Sequence, residues 1–103
     1  MAEVVVAAPA LIDLEFTNVL RGLLTKRSIA LPNAEMAIAE FLQAPIQRYR
    51  HEALVPRVWQ LRENLTAYDA AYVALAEALG TDLLTIDRRI GGAAGVRCRV
   101  VVV

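Results

Sequence analysis

The clearest pattern of hydrophobic and polar positions in this chain lies between residues 65 and 87. Residues 67–79 are strong helix formers that are apolar on nearly every side. Thr66 before them suits an N-cap, and Gly80 after them suits a left-handed C-terminal residue. The pattern therefore predicts a well-bounded helix that is buried rather than laid on a surface.

A short apolar run at residues 83–86 follows this helix, with polar residues on both sides. Such a run is typical of a strand that is covered on both faces. Asp87 falls where the strand ends, and ligands of open α/β sheets bind at the carboxyl ends of strands. We expect Asp69, in the first turn of the preceding helix, to point to the same rim. Thr85 lies two residues before Asp87, on the same side of the strand, and can orient a ligand or water.

The rest of the chain alternates between helical and strand-like patterns. These patterns predict a strand at residues 3–6, helices from Pro9 to about residue 26, from Asn33 to about residue 43 and at about 53–64, a strand at 46–51, a loop or short turn after Asp87, and a last strand at 97–103. Their inward positions are predicted to be Ile12, Phe16, Val19, Leu20 and Leu23, then Ala34, Ile38, Phe41 and Leu42, then Leu54, Val58 and Leu61. Alternating helices and short apolar strands predict a single α/β domain over residues 1–103, a three-layer fold with a mostly parallel sheet.

Composition and charge limit the choice of function only weakly. Eleven basic residues balance eleven acidic ones, so net charge neither supports nucleic-acid binding nor excludes a local basic patch. The single cysteine, Cys98, cannot form an internal disulfide, which fits a reducing cytosol. Charges interrupt every apolar segment, so we expect no membrane span and no targeting segment.

Two stretches carry a resemblance to a known family. The string LTAYDAAYVALAEALGTDLLTID at residues 65–87 resembles the signature region of PIN-domain ribonucleases, in particular the VapC toxins of bacterial toxin-antitoxin pairs. Asp69 and Asp87 match the two acidic positions of that region. The upstream stretch APALIDLEFTNVLRGLL resembles the family's helix with an earlier acidic residue, and the matching position is Glu15.

The resemblance implies a PIN-like fold and an endoribonuclease that acts on RNA with Mg²⁺ or Mn²⁺. It also implies a cognate VapB-type antitoxin, a homodimer and a cytoplasmic location. Glu15, Asp69 and Asp87 would bind the metal, with Thr85 beside them. Carboxylates about 5 Å apart repel by about 3 kcal/mol at an effective dielectric of about 20, so a converging cluster holds either a proton or a cation. Ligand sets made of oxygen favour Mg²⁺ or Mn²⁺ over zinc.

The family pattern also has an element that this sequence does not match. Family members begin with a strand, near the middle of the sheet, that ends in an aspartate followed by a small residue and a serine. Before Glu15 the only acidic residues here are Glu3 and Asp13. We therefore expect the first, central strand and the fourth metal-binding carboxylate to be missing, with the domain incomplete at its N-terminus.

Each candidate residue also has a structural interpretation. Asp69, three residues after Thr66, fits a capping box, and Asp87 can cap whatever follows the strand. Glu15 alone fits a solvated helix position. Most arginines fit scattered surface charge, with Arg88 and Arg89 best placed for phosphate contacts beside Asp87.

The exposed or buried role of the aromatic residues is also open. For Trp59, Tyr68 and Tyr72, packing or a dimer face is a better interpretation than base stacking.

The chain as a whole has two rival interpretations. One is an inactive truncated PIN domain that only binds an antitoxin or dimerises. The other is a phosphate-binding regulatory domain in which Asp87 would be the phosphate acceptor. The sequence lacks the paired acidic residues and the lysine that such a domain would need.

Overall fold

A computed structural model of the chain describes residues 6–85 and 87–103. Its elements in chain order are β1 (Val6–Pro9), α1 (Ile12–Thr25), α2 (Leu31–Gln43), β2 (Ile46–Tyr49), a 3-10 helix (Glu52–Leu54), α3 (Val55–Gln60), α4 (Ala67–Leu79), β3 (Leu83–Thr85), α5 (Arg88–Gly91) and β4 (Val100–Val102). They form two compact units, one ending at Arg48 and the other beginning at Tyr49. None of the helices found in the described ranges combines the length and hydrophobicity that a membrane crossing needs.

The first unit joins a two-stranded sheet of β1 and β2 to the helices α1 and α2. The rings of Phe16 and Phe41 stack between the helices, with centroids 4.1 Å apart and planes 6° from parallel. The guanidinium of Arg48 lies 5.4 Å from the Phe41 ring centroid, and its Nε donates to Oδ1 of Asp13 at 2.7 Å. Asp13 is thereby committed to an ion pair between α1 and β2.

The second unit is built around α4. Its buried residues are Ala70, Ala71, Val73, Ala74, Leu75 and Ala76. One face packs with Leu61, Leu83 and Ile90, and another packs with Leu54. Strands β3 and β4 pair in parallel, with Leu83 opposite Val100 and Thr85 opposite Val102. The predicted buried helix and the predicted α/β class are both confirmed.

Both ends of α4 lie where the sequence predicts them. The hydroxyl of Thr66 accepts the main-chain N–H of Asp69 at 3.2 Å, which satisfies a donor that the first turn would otherwise leave unpaired. Gly80 adopts a left-handed conformation with φ of 65°, and its N–H is donated to the carbonyls of Ala76 and Glu77.

Several predicted boundaries are wrong, and two of them involve a proline. Pro9 ends β1 instead of starting α1, because the chain still needs a turn before the helix begins at Ile12. Helix α2 begins at Leu31 with Pro32 in its first turn, so Asn33 is not its cap. The third helix ends at Gln60, and the last strand spans only Val100–Val102. Residues 3–5 of the predicted first strand and Ile86 lie outside the described residues.

Predicted burial also fails at particular positions. Leu84 is 69% exposed, so β3 is not covered on both faces. In the described residues β3 pairs only with β4, and side chains alternate between the two faces of a strand, so Leu84 points away from the core that holds Leu83. In the first unit Val19, Leu23 and Leu42 are exposed, against the prediction, and Leu20 and Ala34 are buried as predicted.

A carboxylate at the C-terminal end of α4 ties three segments of the second unit together. Glu77 accepts Nε and Nη2 of Arg57 from α3, at 2.7 and 3.1 Å. The same carboxylate accepts the main-chain N–H of Arg97 at 2.7 Å, and Arg57 also donates to the carbonyl of Gly95. Both side chains of the pair are mostly buried. The guanidinium of Arg57 lowers the pKa of Glu77 below its usual range.

We predict that Glu77→Gln destabilises the chain by about 2 kcal/mol. The substitution removes the negative charge that pairs with Arg57, and it weakens the hydrogen bonds that Arg57 and the main-chain N–H of Arg97 donate to this side chain. Since folding lowers the pKa of Glu77, this stabilisation is present above the ordinary value of 4.5 and is lost as pH falls through the lower folded value. Urea unfolding at pH 7 and at a series of acidic values measures both effects. The exposed Glu63→Gln is the control. An equal loss in both variants would contradict the prediction.

Candidate active site

Asp69 lies in the first turn of α4 and is half-buried. The cap of this helix is the Thr66 hydroxyl, and its partner is the main-chain N–H of Asp69 rather than its side chain. Asp69 therefore takes part in the helix cap through its main-chain N–H, and its carboxylate is not used in that bond.

Asp87 follows β3 and begins α5. Its Oδ1 accepts the main-chain N–H of Arg89 at 2.9 Å, so the capping interpretation of this residue is also correct. Its own N–H is donated to the hydroxyl of Thr85 at 3.0 Å. Thr85 is fixed in turn by its carbonyl, which accepts the N–H of Val103 at 2.9 Å. Thr85 thus sets the direction in which the chain leaves the strand.

Arg89 forms an ion pair with Asp87. Its Nε and Nη2 donate to the two carboxylate oxygens of Asp87 at 3.0 and 2.7 Å. These bonds, together with the main-chain N–H, lower the pKa of Asp87 from 3.8 to about 2. The pKa of Arg89 is raised, first by its bond to Asp87 and also by the negative charge of Asp69. The hydrogen bonds place Arg89 on Asp87, and a rim shared by Asp69 and Asp87 stays a prediction.

Glu15 lies in the first turn of α1, in the first unit, and is half-buried. Its neighbour Asp13 is held by Arg48. The structure thus gives Asp13 a stabilising role, and Glu15 as the candidate on this helix stays a prediction. The convergence of Glu15 with Asp69 and Asp87 stays a prediction.

The donor set of the second unit suits a hard cation. Asp69 and Asp87 offer carboxylate oxygens, the ligands that Mg²⁺ and Mn²⁺ prefer, and Asp87 already pairs with the positive guanidinium of Arg89. Across residues 6–85 and 87–103, no three His, Cys, Asp or Glu side chains gather into a group that could hold a metal ion. Metal binding by Glu15, Asp69 and Asp87 together therefore stays a prediction.

From the sequence, Arg89 was predicted to contact a phosphate beside Asp87, and the ion pair between the two residues was not predicted. The spacing of two residues at a helix start could have indicated this pair, because a capping aspartate faces the first N–H groups of the helix. Arg88 is exposed and takes no part in this pair.

Comparison with known proteins shows a consistent set of relatives. The chain is 37% identical over 95 residues to the VapC ribonuclease Mb0985 of Mycobacterium bovis, a match that covers 92% of this chain and 75% of the relative. It is 40% identical over 94 residues to ribonuclease VapC1 of Mycobacterium tuberculosis, covering 90% and 71%. The chain belongs to the VapC ribonuclease family.

A third relative in the same family, ribonuclease VapC12 of Mycobacterium tuberculosis, is 36% identical over 90 residues. No general family profile matches the chain. Membership in the VapC family confirms the resemblance that the signature region and the helix of Glu15 carry, and with it the PIN-like α/β fold.

We predict that Arg89→Gln raises the pKa of Asp87 from about 2 toward the ordinary value of 3.8. The substitution removes two charged hydrogen bonds and leaves the main-chain N–H in place. Carbon-13 NMR titration of the aspartate carboxyl groups measures the change, with Asp87→Asn to assign the signal. Arg88→Gln is the matched control, since it removes an equal charge one residue away. An equal pKa of Asp87 in the parent chain, in Arg89→Gln and in Arg88→Gln would show that Arg89 does not hold Asp87.

Proposed function

We propose that this chain is the toxin of a type II toxin-antitoxin pair and an endoribonuclease that cleaves RNA phosphodiester bonds. The observation that carries the proposal is the Asp87 carboxylate, held after β3 by Arg89 and by the cap of α5, in a chain of the VapC ribonuclease family. A charged carboxylate paired with a guanidinium is a suitable environment for a phosphodiester and the charge that develops on it.

The proposed cofactor is Mg²⁺ or Mn²⁺, held by Asp69, Asp87 and Glu15. When bound, such an ion lowers the pKa of a water molecule and stabilises the leaving oxygen. The ionised state of Asp87 supports this assignment, because a pKa of about 2 keeps its carboxylate charged at every physiological pH.

The chain's own residues have separate tasks in this proposal. The hydroxyl of Thr85 holds the main chain of Asp87 and thereby orients its carboxylate. Arg89 neutralises Asp87 in the free chain, and when a cation takes that place its guanidinium becomes available to a phosphate of the RNA. Asp69 is supported by the capped first turn of α4, a rigid element on a buried helix.

The proposed partners follow from the family. A cognate VapB-type antitoxin would hold the toxin inactive, and two copies of the chain would form a homodimer in the cytoplasm. The unpaired Cys98 agrees with a reducing compartment.

We predict that the chain cleaves a mixed RNA substrate only when Mg²⁺ or Mn²⁺ is present. Asp69→Asn and Asp87→Asn should each lower the rate at least about 100-fold, since metal-ion charge stabilisation is worth several kcal/mol and about 1.4 kcal/mol is tenfold. Glu15→Gln should have the same effect if its carboxylate is the third ligand. Gel electrophoresis of end-labelled RNA measures the rates.

Asp82→Asn is the matched control, because this aspartate is half-exposed and pairs with Arg99 on the surface. It should cleave at the parent rate. Cleavage that survives in both Asp69→Asn and Asp87→Asn would refute the assigned site. No cleavage by a chain with cooperative unfolding would instead favour the alternative, an inactive module that only binds an antitoxin or dimerises.

A further inference from the structure

Two large aromatic side chains, Trp59 and Tyr68, are exposed on the surface of the second unit. Trp59, near the end of α3, is 66% exposed. The sequence favoured packing or a dimer face for it, but its ring is not part of the core. Tyr68 is likewise 67% exposed, whereas Tyr72 packs against the core as predicted.

The indole ring of Trp59 is paired with a cation. The guanidinium carbon of Arg62 lies 4.5 Å from the ring centroid, and Nη1 of Arg62 donates to the carbonyl of Trp59 at 3.0 Å. The bond to the carbonyl fixes the arginine beside the ring, three residues further along the chain. The result is a positioned, exposed pair of one aromatic face and one planar cation.

Five of the ten arginines form ion pairs with carboxylates in the described residues, and Arg62 is not one of them. Those that form ion pairs with carboxylates are Arg48, Arg50, Arg57, Arg89 and Arg99. Within residues 6–85 and 87–103, no carboxylate lies within ion-pair distance of Arg62. Its charge is therefore not neutralised by a neighbour and is open to an anionic ligand.

Aromatic rings beside uncompensated arginines suit single-stranded nucleic acid. Every base has a flat π-face that stacks on an aromatic side chain, and the phosphate that follows it is an anion that a guanidinium binds in a bidentate manner. The pair also lies in the chain segment that leads directly into Thr66 and the first turn of α4, which carries Asp69.

We propose that Trp59 and Arg62 form a contact site for single-stranded RNA, in which a base stacks on Trp59 and the adjacent phosphate binds Arg62. The proposal rests on the proposed function in taking RNA as the substrate. Neither residue is one of the proposed metal ligands, so the contact serves to hold the RNA and does not take part in bond cleavage.

Trp59 is the single tryptophan of the chain, which makes it a direct reporter. We predict that a single-stranded RNA of about 12 nucleotides, within the usual site size, quenches its fluorescence. The titration is done on the full chain with EDTA present, so that binding is measured without cleavage. Fluorescence anisotropy of the same RNA, labelled at its end, shows independently when the chain is saturated.

The variants separate stacking from charge. Trp59→Ala should weaken RNA binding roughly 5- to 150-fold, the range for one lost stacked base, and Trp59→Phe should recover most of it. Arg62→Gln should weaken binding and lower its salt dependence, whereas Arg62→Lys keeps the charge. Arg50→Gln is the matched control, because Arg50 is an exposed arginine that already pairs with Glu52. Circular dichroism should be unchanged in all of them, since these side chains are outside the core.

The outcomes distinguish this proposal from the proposed function. Saturation with RNA that leaves the Trp59 emission unchanged overturns the contact site even if the chain cleaves RNA. Quenching by RNA in a chain that cleaves nothing supports the contact site and refutes only the enzyme. A Trp59 emission that changes with protein concentration, together with a dimer that Trp59→Ala dissociates in gel filtration, overturns the proposal by assigning the pair to an interface between two copies.

Discussion

The second unit depends on the close burial of α4. A helix that is apolar on nearly every side must be covered on nearly every side, and alanine lets its neighbours approach closely. Leu61, Leu83 and Ile90 come from three different segments and meet this one helix. The positions of the strand β3 and of the short helix after it are therefore consequences of how α4 is covered.

The polar groups of the unit lie at the two ends of that helix. At the C-terminal end, Glu77 collects Arg57 and the N–H of Arg97, so its charge is fully used in holding segments together. At the N-terminal end, Asp69 lies in the capped first turn, and its negative charge adds to the rise in the pKa of Arg89, whose main partner is Asp87. The Arg57–Glu77 pair is mostly buried and holds segments of the unit together, whereas the guanidinium that pairs with Asp87 is exposed. This difference in exposure is a physical reason to assign chemistry to Asp87 and not to Glu77.

The arginines illustrate why a balanced net charge says little about function. Arg57 is mostly buried and structural, Arg48 joins a helix to a strand, and Arg62 covers an exposed indole ring. Equal numbers of acidic and basic residues hide these differences, because pairing and exposure decide which charges a ligand can meet. A nucleic acid can bind where exposed cations have no carboxylate partner, and the total number of cations does not show where that is.

The sequence by itself determined the features that depend on near neighbours. The limits of α4, its Thr66 cap, the left-handed Gly80 and the placement of Asp87 at the end of β3 follow from residues a few positions apart. The family signature is carried by the same continuous stretch, which is why the resemblance could be seen before the fold.

Only the tertiary structure decided the features that join distant positions. Arg57 and Glu77 are 20 residues apart and Asp13 and Arg48 are 35 apart, so no periodicity indicates that they meet. The exposure of Leu84, Val19 and Trp59 depends on which surfaces the rest of the chain covers, whereas periodicity shows only which residues share a face. Local hydrogen bonding and side-chain period are properties of a segment, but burial and ion pairing are properties of its surroundings.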